Sequence, residues 1–570
     1  MSTPIPGTLK ELLESSVQRF PDKTSLAFAD GPGLTYAALG QKVVQLSQFL
    51  QRQGIQKGDR VGLLGENMPH WGVVYMATTA IGAVIVPILP DFHASEVHHI
   101  LRHAGCKAAA VSEKLMDRVT DADLPDCHTL IKLNDLTQVL PQDRIGKLMD
   151  LLREGEREVQ KLKESAMRLA GIEPGPLSPE DMAAIIYTSG TTGHAKGVML
   201  THKNIVSDVY FTLKIQDMNE RDRLLSILPL SHTYENTLGF LLPLATGASV
   251  FYLEKPPVPR VLLPALAKIR PTMMLTVPLI IEKIYKSKVL PRLEASGLAG
   301  KLLKMGVVRK QLVKLIGKKL MQTFGGELRF FGIGGASVSP EVELFLREAG
   351  FPYAIGYGLT ETAPLIAGSS PALTRAKSTG FPLPDVHIRI ADADPETGEG
   401  EIQIKGDNVM KGYYRDPERT AEVFTDDGYF KTGDLGVFDK DGYLFIKGRL
   451  KNVIIGANGE NIYPEEVESH LNRMEGVLES LVYGFEGRVM ARVFLDYDFL
   501  DRRFEKIKLN EIRIAERMSA FLTQIRNTVN QHVASNARIH QIFEQKSPFE
   551  KTPTQKIKRF LYTQDTARNE

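Results

Sequence analysis

Between residues 60 and 333, short β-branched runs alternate with stretches of helical periodicity: Arg60–Leu64, Ala83–Ile88, Ala108–Val111, Ala184–Tyr187, Leu224–Leu228, Ser249–Leu253, Met273–Val277 and Leu328–Ile333. Helices set between strands cover both faces of a sheet, so this alternation predicts an α/β body with mainly parallel central strands. Ahead of it, Leu9, Leu12, Leu13, Val17 and Phe20 recur at helical spacing and stop at Pro21, the pattern of an amphipathic helix closing onto that body. A second helix follows the turn at Gly31–Gly33. The twenty residues from Trp71 to Pro90 carry no charge, a length that would span a bilayer. Glycines, threonines and two prolines split the stretch, which predicts a buried helix over about Trp71–Ala80 and a buried strand around Ala83–Ile88 instead.

From about Thr379 the texture changes to short strands separated by turns, with hairpins predicted at Asp427-Gly428 and Asp441-Gly442. After Arg449 the chain becomes strongly charged, with helical patterns over Pro464–Arg473 and Glu511–Ala537. A boundary near Arg449–Lys451 then gives a large N-terminal body of α/β sheet subdomains, residues 1–449, with a small β-rich subdomain at about 379–449, and a small α+β domain at 450–570. At 570 residues the chain is several times the ~150 residues usual for one domain, in keeping with that division. The charged segment Asp143–Leu169 reads as a solvated surface helix.

Charge and cysteine content narrow the function classes. Seventy Lys+Arg against 68 Asp+Glu leave a net +2, which argues against a protein that binds nucleic acid through a general basic excess. Cys106 and Cys127 are too few for a disulfide scaffold and wrongly spaced for a thiolate metal cage, so a reducing, cytoplasmic setting is expected. The opening residues, MSTPIPGTLKELLESSVQRFPDK, lack the basic start, apolar core and cleavage site of a secretory signal.

Tyr187–Val198 reads YTSGTTGHAKGV. Thr188, Ser189, Thr191 and Thr192 supply hydroxyls, Gly190 and Gly193 let backbone N–H groups face a concavity, and Lys196 adds a charge: an inventory for holding a polyphosphate. The string is not a Walker A loop, because Gly197 follows Lys196 and the next residues, VMLTH, look extended. The loop is therefore expected to join two strands.

That loop stands first in an ordered set: GIGGAS at 332–337, GYGLTET at 356–362, YFKTGDLG at 429–436, KGRLKNVII at 447–455, GENIYPEEVE at 459–468 and KTPTQKIKR at 551–559. In this set the chain resembles the adenylate-forming superfamily of acyl-CoA synthetases, peptide-synthetase adenylation domains and luciferases. Within it, LPLSHTYENT at 228–237 and the TPTQKIKR ending are most similar to long-chain fatty acid CoA ligases.

The resemblance implies a reaction in two halves that uses ATP, Mg²⁺ and coenzyme A. A carboxylate attacks the α-phosphorus of ATP and releases pyrophosphate; the coenzyme A thiol then displaces AMP from the acyl-adenylate. Both halves concentrate negative charge, so the site must supply cations, hydroxyls and backbone donors. By resemblance, Glu361 would hold Mg²⁺, Thr360 would meet the α-phosphate, and Asp434 with Arg449 would bind the ribose. Gly334, Gly335 and Ala336, with Tyr357 and Gly358, would form the adenine slot. Lys556 matches the C-terminal lysine that reaches both the substrate carboxylate and the α-phosphate, although Gln555 stands where many relatives have glycine. Lys451 matches the hinge about which a mobile lid domain swings, withdrawing Lys556 and bringing Gly456–Asn461 to a pantetheine channel. His232 matches a histidine at the floor or gate of an acyl pocket, with a buried core histidine as the alternative.

The implied activity is a medium- to long-chain fatty acid CoA ligase. Two other readings stand beside it: a fatty acyl-AMP ligase loading an acyl carrier protein, and a non-catalytic acyl- or nucleotide-binding protein. The last is disfavoured because Lys196, Thr360, Glu361, Asp434, Arg449 and Lys556 are all present. Lys301–Leu320 has seven basic residues and no acid in twenty. It reads either as a helix lying on an anionic membrane surface, which would make the protein peripherally membrane-associated, or as a helix packed on the body with its basic face in solvent.

Overall fold

A computed structural model describes residues 5–120, 123–139, 176–188, 195–293, 306–456, 460–504, 511–552 and 556–563. Asp143–Leu169 lies outside them. Two large sheets build the body. The eight-stranded sheet runs in the order Gly412–Tyr413, Lys196–Thr201, Met182–Thr188, Val84–Ile88, Arg60–Leu64, Cys106–Val111, Thr129–Lys132, Thr137–Gln138. The seven-stranded sheet runs Tyr353–Ile355, Phe330–Ile333, Met273–Thr276, Arg223–Ser226, Ser249–Tyr252, Thr24–Phe28, Gly33–Thr35. Val61 pairs in parallel with Ile85 and Ala108, and Met273 with Leu224 and Phe330. The central strands of each sheet thus end on one common edge, the edge at which open α/β sheets bind ligands.

All eight expected strands form, shifted by a residue or two at their ends. The run Leu224–Leu228 stops at Ser226 because the Asn67 amide claims this stretch, donating to Ser226 Oγ at 3.0 Å and to the Leu228 carbonyl at 2.6 Å. The uncharged stretch resolves into the helix Pro69–Ala80 and the strand Val84–Ile88. Trp71 and Tyr75 stack at 5.4 Å with Phe240 edge-on to both, so the helix is buried on every side by side chains from both sheets' surroundings. No described helix is long and apolar enough to cross a membrane.

Helix Gly306–Thr323 takes up most of the basic segment, whose residues 301–305 lie outside the described chain. Val313, Ile316 and Leu320 are buried in a core with Phe324 and Phe345, while Lys310, Lys314, Lys318 and Lys319 face solvent. Val313, Ile316 and Leu320 are therefore spent on packing against the body, while Leu315 stays exposed.

A four-stranded antiparallel sheet, His387–Ala391, Gly400–Lys405, Phe430–Phe438 and Leu444–Arg449, forms the β-rich part, with turns at both expected Asp-Gly pairs. Its register sets Asp434 directly opposite Arg449. Beyond the short turn Leu450–Asn452, three strands (Val477–Phe485, Arg488–Leu495, Ile539–Gln545) and the helices Pro464–Leu471 and Glu511–Val529 enclose a core of their own around Val467, Leu471, Val493 and Ile525. The expected helix Glu511–Ala537 ends early, at Val529. The Asn530 amide exchanges two hydrogen bonds with the Ile539 backbone, 2.9 and 2.8 Å, and turns the chain into the next strand. This part meets the body through Lys286 Nζ to the Asn472 carbonyl, 2.9 Å, and Tyr463 OH to Glu399, 2.5 Å.

The N-terminal helix Leu9–Arg19 opens on a reciprocal cap between Thr8 and Glu11 and docks by the Leu9 N–H, which donates to His202 Nδ1 at 3.2 Å. That nitrogen must be unprotonated to accept, and burial lowers the His202 pKa to about 4. The unfolded value is about 6.5, so this histidine's contribution is complete above that pH and is lost as pH falls through 4. Denaturant unfolding should show wild type losing roughly 2–3 kcal/mol more than His202→Gln between pH 7 and 4.5; identical pH slopes would refute the assignment.

Candidate active site

The loop after Met182–Thr188 does join two strands, returning antiparallel as Lys196–Thr201 with Thr188 opposite Lys196. Ser189, Gly190, Thr191, Thr192 and Gly193 lie outside the described residues. At its two ends, Thr188 Oγ1 is buried without a partner among the described residues, and Lys196 Nζ reaches Glu361 Oε1 at 2.8 Å and Tyr413 OH at 2.7 Å. Tyr413 OH also donates to Glu361 Oε1, 2.9 Å, and the lysine lies over the tyrosine ring. Burial alone would raise the Glu361 pKa; the Lys196 charge and the hydrogen bonds from Lys196 and Tyr413 outweigh it and hold the carboxyl below its usual range.

Glu361 sits on the turn Thr360–Thr362, and a buried clamp fixes that turn. Asn408 Nδ2 donates to the carbonyls of Thr362 and Leu365, 3.1 and 2.8 Å; Asp208 Oδ1 accepts from the Leu365 N–H, 3.1 Å; and the Met410 N–H donates to the Glu361 carbonyl, 2.8 Å. Gly358 belongs to the same close packing, since a Cβ there would meet the Pro364 carbonyl oxygen at 1.9 Å. Its need for glycine is thus explained by backbone approach.

Asp434, 4% exposed, is shared between Arg449 Nε, 2.8 Å, and Tyr357 OH, 2.8 Å. Burial raises its pKa, opposed first by Arg449, then by Tyr357 and by the charge of Lys556. Lys556 stands on a turn closed by Thr552 N–H to the Lys556 carbonyl, 2.7 Å, and by the bridge between Lys551 and Ile557. Lys556 is exposed, and its charge is still felt by the site: desolvation and then Arg449 lower its pKa, while Asp434 and Glu361 pull the other way. His232 completes the group. Burial, then the Lys556 charge, depress its pKa to about 4, so it is neutral at physiological pH.

Hydrogen bonds thus join Lys196 to Glu361 and join Tyr357 and Arg449 to Asp434, while the charge of Lys556 acts on Asp434 and His232; with Thr360 next to Glu361, these residues come from six separated segments. Gly334 is buried against the Tyr234 ring, whereas Gly335, in the left-handed region at φ +85°, and Ala336 are exposed on the rim. Lys451 is exposed on the turn Leu450–Asn452. Of the expected loop Gly456–Asn461, residues 457–459 lie outside the described chain. Sequence reading missed Tyr413, Tyr234 and the Asp208–Asn408 clamp; GYY at 412–414 was the one local signal, an aromatic pair after a strand-compatible glycine.

Beside these residues lies an apolar pocket. Tyr234, Leu238, Leu242, Leu275, Ile333 and Ile355 line it, and it reaches Gly356, next to Tyr357. Among the described residues no cluster of three metal-ligating side chains occurs. A single ionised carboxylate such as Glu361 suits Mg²⁺ when phosphate oxygens and water supply the remaining ligands.

Comparison with known proteins places this geometry in a family. Residues 13–414 match the AMP-binding enzyme family. The chain is 32% identical to long-chain-fatty-acid–CoA ligase 1 of Cavia porcellus over 80% of this chain and 68% of that protein. Against the Homo sapiens ligase of the same name the identity is 31%, with the same coverage of each chain. Among solved structures, ATP-bound MatB from Rhodopseudomonas palustris superposes with a TM-score of 0.73 at 25% identity, covering 97% of this chain and 98% of its own. With the family match spanning both large sheets and the likeness of fold extending over the C-terminal part as well, the chain belongs to the AMP-binding enzyme family.

Proposed function

We propose that the protein is an acyl-CoA ligase for medium- to long-chain fatty acids, working through an acyl-adenylate. The observation that carries this reading is the pairing of Asp434 with Arg449 and Tyr357, and of Glu361 with Lys196 and Tyr413, next to an apolar pocket that reaches Gly356, the residue before Tyr357. The pocket suits an alkyl chain, and the paired charges suit the phosphates and ribose of ATP. The family's long-chain ligases among the relatives support the substrate class.

In the first half-reaction a carboxylate oxygen of the fatty acid forms a bond to the α-phosphorus while the bond to pyrophosphate breaks. Lys556 would neutralise charge on both the carboxylate and the α-phosphate, with Thr360 donating to the latter. Lys196 and the hydroxyls of Thr188 to Thr192 would hold the β- and γ-phosphates. Glu361 would bind Mg²⁺, which supplies charge neutralisation on the phosphate oxygens. Asp434 would exchange its bonds with Tyr357 and Arg449 for the ribose hydroxyls, and the ring of adenine would lie between Tyr357 and the backbone of Gly334–Ala336. In the second half-reaction the coenzyme A sulfur bonds to the acyl carbon and AMP leaves. Lys556 must withdraw for this, and we assign Lys451, exposed on a three-residue turn between the body and the part that follows, as the hinge. His232, neutral and accepting a hydrogen bond from the N–H of Tyr234, which lines the pocket, fits a gate better than an acid or base.

The reading is tested by following AMP and pyrophosphate with fatty acids of two to eighteen carbons, ATP and Mg²⁺, with and without coenzyme A. Coenzyme A-dependent AMP release at the longer chains is expected; pyrophosphate without a thioester would point to a carrier-protein acceptor. Lys556→Ala should slow adenylate formation by ~10²–10³-fold in single turnover while leaving conversion of supplied acyl-adenylate to thioester nearly unchanged. Lys451→Pro should do the reverse, and equal loss of both halves in either variant would contradict the domain-swing assignment. Because its surroundings lower the Lys556 pKa, the alkaline limb of the adenylation rate should fall below the usual lysine value of about 10.4, and Lys556→Arg should move it upward.

A further inference from the structure

Lys556 ends in a flexible four-carbon stem, so the reach of its ammonium is set by the turn that carries it. Two ion pairs, one on each side of Lys556 in sequence, fix that turn to the same strand, Val477–Phe485. Ahead of it, Lys551 Nζ donates to Glu479 Oε1 at 2.6 Å, and the other oxygen of Glu479 accepts from the Phe549 N–H at 3.3 Å. Beyond it, Arg559 gives both terminal nitrogens to Glu468 Oε1, at 2.7 and 2.5 Å. The same Glu468 oxygen accepts from the Val482 N–H at 2.7 Å, and the Val482 carbonyl accepts from Arg559 Nη1 at 3.4 Å. Glu550 N–H donates to Tyr562 OH at 2.7 Å, and the Phe549 and Tyr562 rings meet edge-on at 4.9 Å, so the ends of the segment are also tied to each other.

Surface ion pairs contribute little, but these are sheltered: the side chains of Glu468 and Glu479 are 15% and 21% exposed, and each carboxylate holds a backbone N–H as well as a cation. Charge-assisted bonds of this kind fix geometry as well as adding energy. The Arg559 pair also borders the proposed hinge. Glu465 Oε1 lies 3.9 Å from Arg559 Nη2 and accepts from the Asn452 amide at 2.7 Å, and Asn452 follows Lys451 on the turn Leu450–Asn452. The guanidinium thus links the turn that carries Lys556 to the turn about which it is proposed to move.

We propose that the pairs Arg559–Glu468 and Lys551–Glu479 are positioning residues for Lys556: they clamp both ends of its turn to one strand, so that the ammonium enters and leaves the site with the C-terminal part as one body. The inference rests on the acyl-CoA ligase reading, in which Lys556 serves only the adenylation half. Displacing a reacting group by about 1 Å costs on the order of 10²-fold, so freeing either end of the turn should slow that half alone. The test measures single-turnover adenylation, with ATP, Mg²⁺ and the fatty acid that wild type uses best, against conversion of supplied acyl-adenylate and coenzyme A to thioester. Arg559→Met and Lys551→Met should each lose at least about tenfold in the first rate and keep the second within about twofold. A purely structural role would move both halves together. Adenylation at the wild-type rate in either folded variant, or equal loss of both halves, overturns the inference; if Arg559→Met does not fold, Lys551→Met alone decides. The ligase reading stands through such a result as long as wild type forms the adenylate and Lys556→Ala does so slowly. Wild type silent with every acid overturns both.

Discussion

Everything at the candidate site depends on keeping Glu361 ionised where water is scarce. A carboxylate taken out of solvent favours its neutral form, and only a close cation with further donors reverses that preference. Lys196 and Tyr413 supply both, at 2.8 and 2.9 Å from the same oxygen. They come from strands that pair with each other, Tyr413 against Val198, so the knot is tied by sheet register. The Asp208–Asn408 clamp then fixes the turn that carries the carboxylate. A divalent cation meeting Glu361 would compete with Lys196 for it, which frees the lysine for phosphate without leaving either charge bare.

The same economy holds around Asp434. Its oxygens are held by Arg449 and Tyr357, groups that also face the place proposed for a nucleoside. Lys556 brings a further positive charge from a part of the chain with its own core, joined to the body by a short turn. Its charge is destabilised where it stands by desolvation and by Arg449, and an anion at the site would relieve that cost. A lysine poised in this way binds a developing negative charge strongly and gains less from remaining once the anion has gone, which suits a two-step reaction on one scaffold.

Much of this was legible in the sequence because it is local. Strand and helix alternation is set by side-chain periodicity within a few residues, and it gave the body's sheets and the division of the uncharged stretch at Trp71–Pro90. The phosphate loop's hydroxyls, glycines and Lys196 carry their chemistry in their own composition, whereas the other site residues were identified through motifs that the chain shares with the family it resembles. What escaped is what depends on distant partners. Asn67 ends a strand more than a hundred residues away, Asn530 ends a helix by bonding Ile539, and Asp208 and Asn408 hold a turn that neither adjoins in sequence. Tyr413 reads as an ordinary strand aromatic until the fold sets it beside Lys196. The basic segment at 301–320 was ambiguous because amphipathicity does not reveal what covers the apolar face; Val313, Ile316 and Leu320 pack on protein, while Leu315 is exposed beside the lysines.

The proposed function requires that the protein make an acyl-adenylate reversibly from ATP and a fatty acid. Exchange of labelled pyrophosphate into ATP measures that step alone. The account predicts exchange that requires both Mg²⁺ and a fatty acid and proceeds without coenzyme A. Absence of exchange with every fatty acid, in protein that still binds ATP, would contradict it.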